Sequence, residues 1–184
     1  MCIRDRHYNV ITLRPAQRPT QAELCPLTGS ETHMPLNGNP LQYQDVQSIL
    51  PHRFPCLLVD RILPAGTCIA EGRLSAIKNI TANEPTFWTG HHQMTVFPGV
   101  LMVEALAQTT GLLAHYFLSP LLPGEHYYFA AIHRARFYRS ARPGDQLCME
   151  VTFVRQRSGI ARFSGRASVN GRRICTAEFM CARK

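Results

Sequence analysis

Two side chains in the middle of this chain are of the types that proton-transfer chemistry uses. His91 stands shortly before the step Pro98-Gly99, and Glu104 follows inside a stretch that is otherwise apolar. From Pro98 the residues read as a helix hydrophobic nearly all round, the pattern of an element buried in a core. A carboxylate in such a helix is costly unless it is paired, protonated or functional. Burial would raise its pKa toward the range where a carboxylic acid donates a proton at neutral pH, and a nearby histidine would supply the base. The pair therefore predicts acid–base chemistry on a substrate drawn into a buried slot. Pro98 presets φ for a first helical turn, which leaves the Gly99 backbone N–H free to face an anion or a polarised carbonyl. Plainer readings stand beside these: a glutamate at the rim or in a structural ion pair, a solvated or metal-binding His91-His92 loop, and an ordinary helix start.

The elements that would position these groups are legible from pattern. Residues 44–50 read as a short helix ended by Pro51. Residues 56–63 and 68–80 read as strands, with a turn at Pro64-Ala65-Gly66. Asn83-Glu84-Pro85 opens a short helical turn leading into the histidine loop. The long helix spans about 98–118 and is stopped by Pro120 and Pro123. Four further strands follow, at about 127–139, 146–157, 160–170 and 172–182. Gly144-Asp145, Ser158-Gly159 and Asn170-Gly171 mark turns, and Asn-Gly is the strongest of these hairpin signals. One long apolar helix with strands on both sides of it in sequence predicts an α+β fold, an antiparallel sheet wrapped around one long central helix.

A chain of 184 residues suits one domain with a real core. No apolar run reaches the length of a membrane span, since Glu104, Gln108, Thr109, Thr110 and His115 interrupt the longest one. The net charge of +8 is concentrated late in the chain, where twelve Lys/Arg face three Asp/Glu from His133 onward. No nucleic-acid motif accompanies these charges, so nucleic acid is not expected as a partner and an acidic protein is the better fit. The seven cysteines show no C-x-x-C spacing and read as reduced thiols of a cytoplasmic protein, without a disulfide frame or zinc site. Residues 1–33 lack sustained periodicity and read as a disordered or non-native N-terminal extension, leaving 34–184 as the domain. Met1-Cys2-Ile3-Arg4-Asp5-Arg6 resembles the translation of a library-preparation adapter, which makes Met34 the expected start.

Several blocks together resemble one family, from about Gln42 to Lys184. They are Leu50-Pro51-His52-Arg53-Phe54-Pro55 with Leu57-Leu58-Val59-Asp60-Arg61, Ala76-Ile77-Lys78-Asn79-Ile80-Thr81 with Asn83-Glu84-Pro85, and Pro98-Gly99-Val100 with Glu104-Ala105-Leu106-Ala107-Gln108. Tyr128-Phe129-Ala130, Ala135-Arg136-Phe137 and Pro143-Gly144-Asp145-Gln146-Leu147 complete the set. The order and content of these blocks resemble the 3-hydroxyacyl-[acyl-carrier-protein] dehydratases of FabZ type. One block departs from the pattern. The family's loop reads Gly-His-Phe-Pro-x-x-Pro-x-x-Pro-Gly, whereas Gly90-His91 is followed here by His92-Gln93, the middle proline is absent, and the stretch is one residue short. A one-residue gap keeps His91 as the family's histidine.

The resemblance implies the hotdog fold and loss of water from a 3-hydroxyacyl thioester on an acyl carrier protein, in fatty-acid biosynthesis. It implies catalytic roles for His91 and Glu104, the Gly99 N–H on the substrate carbonyl, and no metal or organic cofactor. It makes Tyr128 a tunnel-gate candidate, and Arg134, Arg136, Arg139 and Arg142 candidate carrier-protein contacts. It also implies a homodimer whose sites combine a histidine from one protomer with a carboxylate from the other, with trimers of dimers common. The glutamate, where relatives that also isomerise have aspartate, points to the simple dehydratase branch. Two rivals remain: a thioesterase of the same fold, and a degenerate hotdog protein that binds carrier protein or acyl chains without turnover.

Overall fold

The computed structural model describes residues 42–87, 96–118 and 125–183. Among these residues six strands form one antiparallel sheet around a single long helix, the hotdog arrangement expected from the sequence. The strands are β1 (Arg61–Cys68), β2 (Arg73–Asn79), β3 (Tyr127–Phe137), β4 (Gln146–Arg157), β5 (Ile160–Val169) and β6 (Arg172–Arg183). Their order across the sheet is β1-β2-β4-β5-β6-β3, so β3 forms one edge and β1 the other. Helix α1 (Tyr43–Ile49) precedes the sheet, and α2 (Gly99–Phe117) lies between β2 and β3 in sequence.

Helix α2 supplies the core. Leu106, Leu112 and Leu113 are fully buried beside Leu147, Met149, Phe163 and Phe179 of the sheet. Its polar interior is satisfied locally: the Thr109 hydroxyl donates to the Ala105 carbonyl and that of Thr110 to the Leu106 carbonyl, each at 2.8 Å. Two threonines can therefore sit in a buried helix without orphaned hydroxyls. Gly165 on β5 lets the sheet approach closely, because a Cβ there would stand 3.0 Å from the Phe179 ring. The Asn170-Gly171 and Ser158-Gly159 hairpins have positive φ at both turn residues, the geometry that type I′ turns require.

The first hairpin departs from expectation. Pro64-Ala65-Gly66 makes no turn but lies within β1, and the chain reverses at a 3-10 turn, Ile69–Glu71, closed by Gly72 in the left-handed region. β1 is an edge strand, where a proline forfeits no ladder donor. At Gly66 (φ 82°) the ladder register shifts, and the Thr67 hydroxyl bridges the irregularity by donating to the Leu63 carbonyl at 2.6 Å and accepting the Ser75 N–H at 2.9 Å. Residues 56–60 are also not a strand. The Cys56 and Leu57 N–H groups turn back onto the Arg53 carbonyl, and the Leu58 N–H is taken by a side chain of α2. That side chain belongs to the candidate site.

Candidate active site

Glu104 lies in the second turn of α2, at the end of the helix the sheet does not enclose. Its side chain keeps 37% of its exposure, so within one chain it is half-buried rather than sealed in the core as the apolar pattern predicted. The sheet covers α2 mainly from Ala105 onward, while Val100 in the first turn remains exposed.

Gln108, one helical turn beyond, is fully buried and holds the glutamate. Its amide nitrogen donates to Glu104 Oε1 at 2.9 Å and to the Cys56 carbonyl at 2.7 Å, while its oxygen accepts the Leu58 N–H at 2.8 Å. One amide thus ties α2 to the 50–58 loop and fixes one carboxylate oxygen. The i, i+4 spacing puts both residues on one helical face, a signal from which the role of Gln108 could have been read but was not. The 50–58 loop is braced in turn by Arg53, whose guanidinium donates to the Leu50 and His52 carbonyls at 2.9 and 2.7 Å.

The loop carries a histidine to which the sequence alone assigned no role. His52 Nε2 stands 3.6 Å from Glu104 Oε1, while its Nδ1 is buried with no hydrogen-bond partner among the described residues. Desolvation holds the His52 imidazole below its usual pKa; the Glu104 charge opposes that shift and the Arg53 charge adds to it. The two side chains are 52 positions apart and share no periodic relation, so only the fold brings them together.

At the start of α2, the Leu101 and Met102 N–H groups both turn to the Pro98 carbonyl, at 3.0 and 3.2 Å. The Gly99 N–H stands ahead of them in the first turn, where the helix offers no internal acceptor. Gly99 also meets β3 closely, since a Cβ there would sit 2.9 Å from the Phe137 ring. Phe97, fully buried, anchors the chain just before the helix by donating its N–H to the Ala141 carbonyl at 2.7 Å. His91 and His92 lie outside the described residues. Upstream of them, the nearly buried Lys78 ammonium contacts Glu84 at 2.6 Å and so ties the short helical turn Pro85–Phe87 to β2.

Comparisons with known proteins place the chain in a family. Residues 50–178 match the FabA-like domain family. The chain is 51% identical over 152 residues to the 3-hydroxyacyl-[acyl-carrier-protein] dehydratase FabZ of Escherichia coli, covering 82% of this chain and 97% of that protein. The chain belongs to the FabZ family. The FabZ protein of Escherichia fergusonii matches to the same extent. Among solved structures, the dehydratase heterocomplex ApeI:P of Xenorhabdus doucetiae has a TM-score of 0.58 at 16% identity, covering 76% of this chain and 90% of that one. A hypothetical thioesterase protein of Streptococcus pneumoniae, solved with coenzyme A, has a TM-score of 0.50 at 13% identity, covering 62% and 80%. At such identities these two share the fold only.

The remaining residues expected in a FabZ-type site are dispersed. Tyr128 is half-buried near the start of β3, opposite Ala182 of β6. Arg134 and Arg136 lie on β3 and, with Ser164, Thr176 and Glu178, line a depression of about 260 Å³. Arg134 is paired there with Glu178 at 3.0 Å. Arg139 and Arg142 are exposed in the connection from β3 to β4. The four arginines thus divide between two neighbouring places on the surface. Among the described residues, no helix is long and apolar enough to cross a membrane.

Proposed function

We propose that this protein removes water from 3-hydroxyacyl thioesters carried on acyl carrier protein, releasing the trans-2-enoyl thioester within fatty-acid biosynthesis in the cytoplasm. The observation that carries the reading is a glutamate held by one oxygen at the open end of α2, in a chain half identical to FabZ dehydratases over nearly their whole length.

In this reading the His91 imidazole takes the C2 proton and the electron pair moves into the thioester carbonyl. The Gly99 N–H, at the positive end of α2, stabilises the oxygen of the developing enolate. The C3–O bond then breaks, Glu104 delivers a proton to the departing hydroxyl, and water leaves. The thioester itself acidifies C2, so His91 and Glu104 suffice as base and acid. Tyr128 is assigned to the acyl tunnel, and Arg134, Arg136, Arg139 and Arg142 to the acidic carrier protein. The active unit is a homodimer in which His91 of one protomer works with Glu104 of the other, and β3, as an edge strand, is available for pairing between copies.

Conversion of 3-hydroxybutyryl carrier protein, followed by mass, tests the activity: loss of water with the thioester retained supports it, and release of free acid favours a thioesterase. Subunit mixing tests the shared site. His91→Ala and Glu104→Gln proteins, each inactive alone, should recover about a quarter of wild-type activity when mixed. Half of randomly formed dimers are mixed, and each of these holds one intact site of two. No recovery would place both groups in one protomer.

A further inference from the structure

We propose that His52 is a positioning residue for Glu104: its Nε2–H and the Gln108 amide act on the same carboxylate oxygen, which leaves Oε2 as the oxygen presented to substrate. This rests on the reading of Glu104 as the acid. The geometry gives three arguments. Both nitrogens face Oε1, Gln108 at 2.9 Å and His52 at 3.6 Å. The His52 separation exceeds a hydrogen bond, but catalytic contacts of this kind are commonly long without substrate and tighten when it binds. The loop beneath His52 is fixed at both ends, by Arg53 on the Leu50 and His52 carbonyls and by Gln108 on Cys56 and Leu58. The loop backbone therefore cannot carry the ring away from Glu104 without breaking these bonds.

The tautomer follows from burial. His52 Nδ1 is buried and lacks a partner among the described residues. An orphaned buried N–H is rarer than an orphaned acceptor, so the proton belongs on Nε2, facing the carboxylate. Two donors on Oε1 leave its lone pairs occupied, and a protonated Glu104 then carries its proton on Oε2. The charge state matters as much. A cationic imidazole at this distance would favour the carboxylate and oppose proton storage, whereas burial and the neighbouring Arg53 charge keep His52 neutral against the pull of Glu104. His52 thus aims the acid without discharging it.

Two variants and one spectrum test this. His52→Leu removes the donor; His52→Gln keeps an amide nitrogen near the place of Nε2 but cannot titrate. With 3-hydroxybutyryl carrier protein, His52→Leu should lower kcat by about tenfold or more, as loss of group alignment does, while KM stays within about twofold of wild type. His52→Gln should recover kcat to within about threefold. In the wild-type protein, nitrogen-15 spectra of the imidazole at neutral pH should show Nε2 protonated and Nδ1 bare, an observation independent of how either variant folds. Unchanged kcat in His52→Leu, equal losses in both variants, a loss confined to KM, or a proton on Nδ1 would each overturn the role. If Glu104→Gln is inactive while His52→Leu is unimpaired, only this inference fails. A fully active Glu104→Gln overturns both it and the dehydratase mechanism.

Discussion

The two ends of α2 obey different rules. From Leu106 to Ala114 every residue is buried, all but Gln108 are small or aliphatic, and the threonine hydroxyls are satisfied within the helix. From Gly99 to Glu104 the same helix is half-exposed, its first turn offers backbone N–H groups, and its carboxylate is held through a loop 50 residues upstream. One end supplies stability, and the other uses that rigidity to aim reactive groups. Chemistry is affordable at the front of the helix because the rear is over-determined by packing.

The sharpest way to break this division is Glu104→Gln. The amide keeps the shape and cannot transfer a proton, so turnover should fall by ~10² to 10⁴-fold, while stability stays within about 1 kcal/mol because the site is half-exposed. Equal damage to both would mean that Glu104 is structural. Leu112→Ala probes the opposite end. Truncating a fully buried leucine should cost roughly 2–5 kcal/mol by denaturant unfolding, with kcat per folded molecule nearly unchanged. A smaller effect is set by pH. Because the folded state holds His52 below its ordinary value of 6.5, the unfolded chain binds the extra proton first as pH falls. The contribution of His52 to stability is therefore complete above that value and is lost progressively below it. Unfolding midpoints measured between pH 7 and 5 should decline less steeply in His52→Gln than in wild type, and parallel slopes would show that His52 titrates as it does in the unfolded chain.

The fold was legible where local chemistry and tertiary outcome coincide. Three of the last four strands end within one residue of expectation, because alternation and the Asn170-Gly171 and Ser158-Gly159 turns act locally. β3 stops two residues early, at Phe137. The reading failed at Pro64-Ala65-Gly66 and at residues 56–60 for a shared reason. In both, a side-chain group replaces a ladder hydrogen bond, the Thr67 hydroxyl in one case and the Gln108 amide in the other, and such substitutions leave no periodic trace. The site divides the same way. Glu104 declared itself as a charge among apolar neighbours, whereas Gln108 stood out only as a polar interruption of the same helix. His52 has no neighbour in sequence that explains it and is understood only once α1 and α2 are packed together.

The pairing of β3 with β6 has a consequence for how the protein is made. Synthesis delivers α2 early, yet three of the five strands that touch it, β4, β5 and β6, lie after β3 in the chain. Among the described residues the sheet partner of β3 is β6, which is made only after β4 and β5. A long apolar helix and an open sheet edge must therefore wait, incompletely covered, until β6 has been made. Non-local pairing of this kind is slow and exposes the nascent chain to self-association. A stop codon at Arg172 would remove β6 and leave β3 without its partner in the sheet.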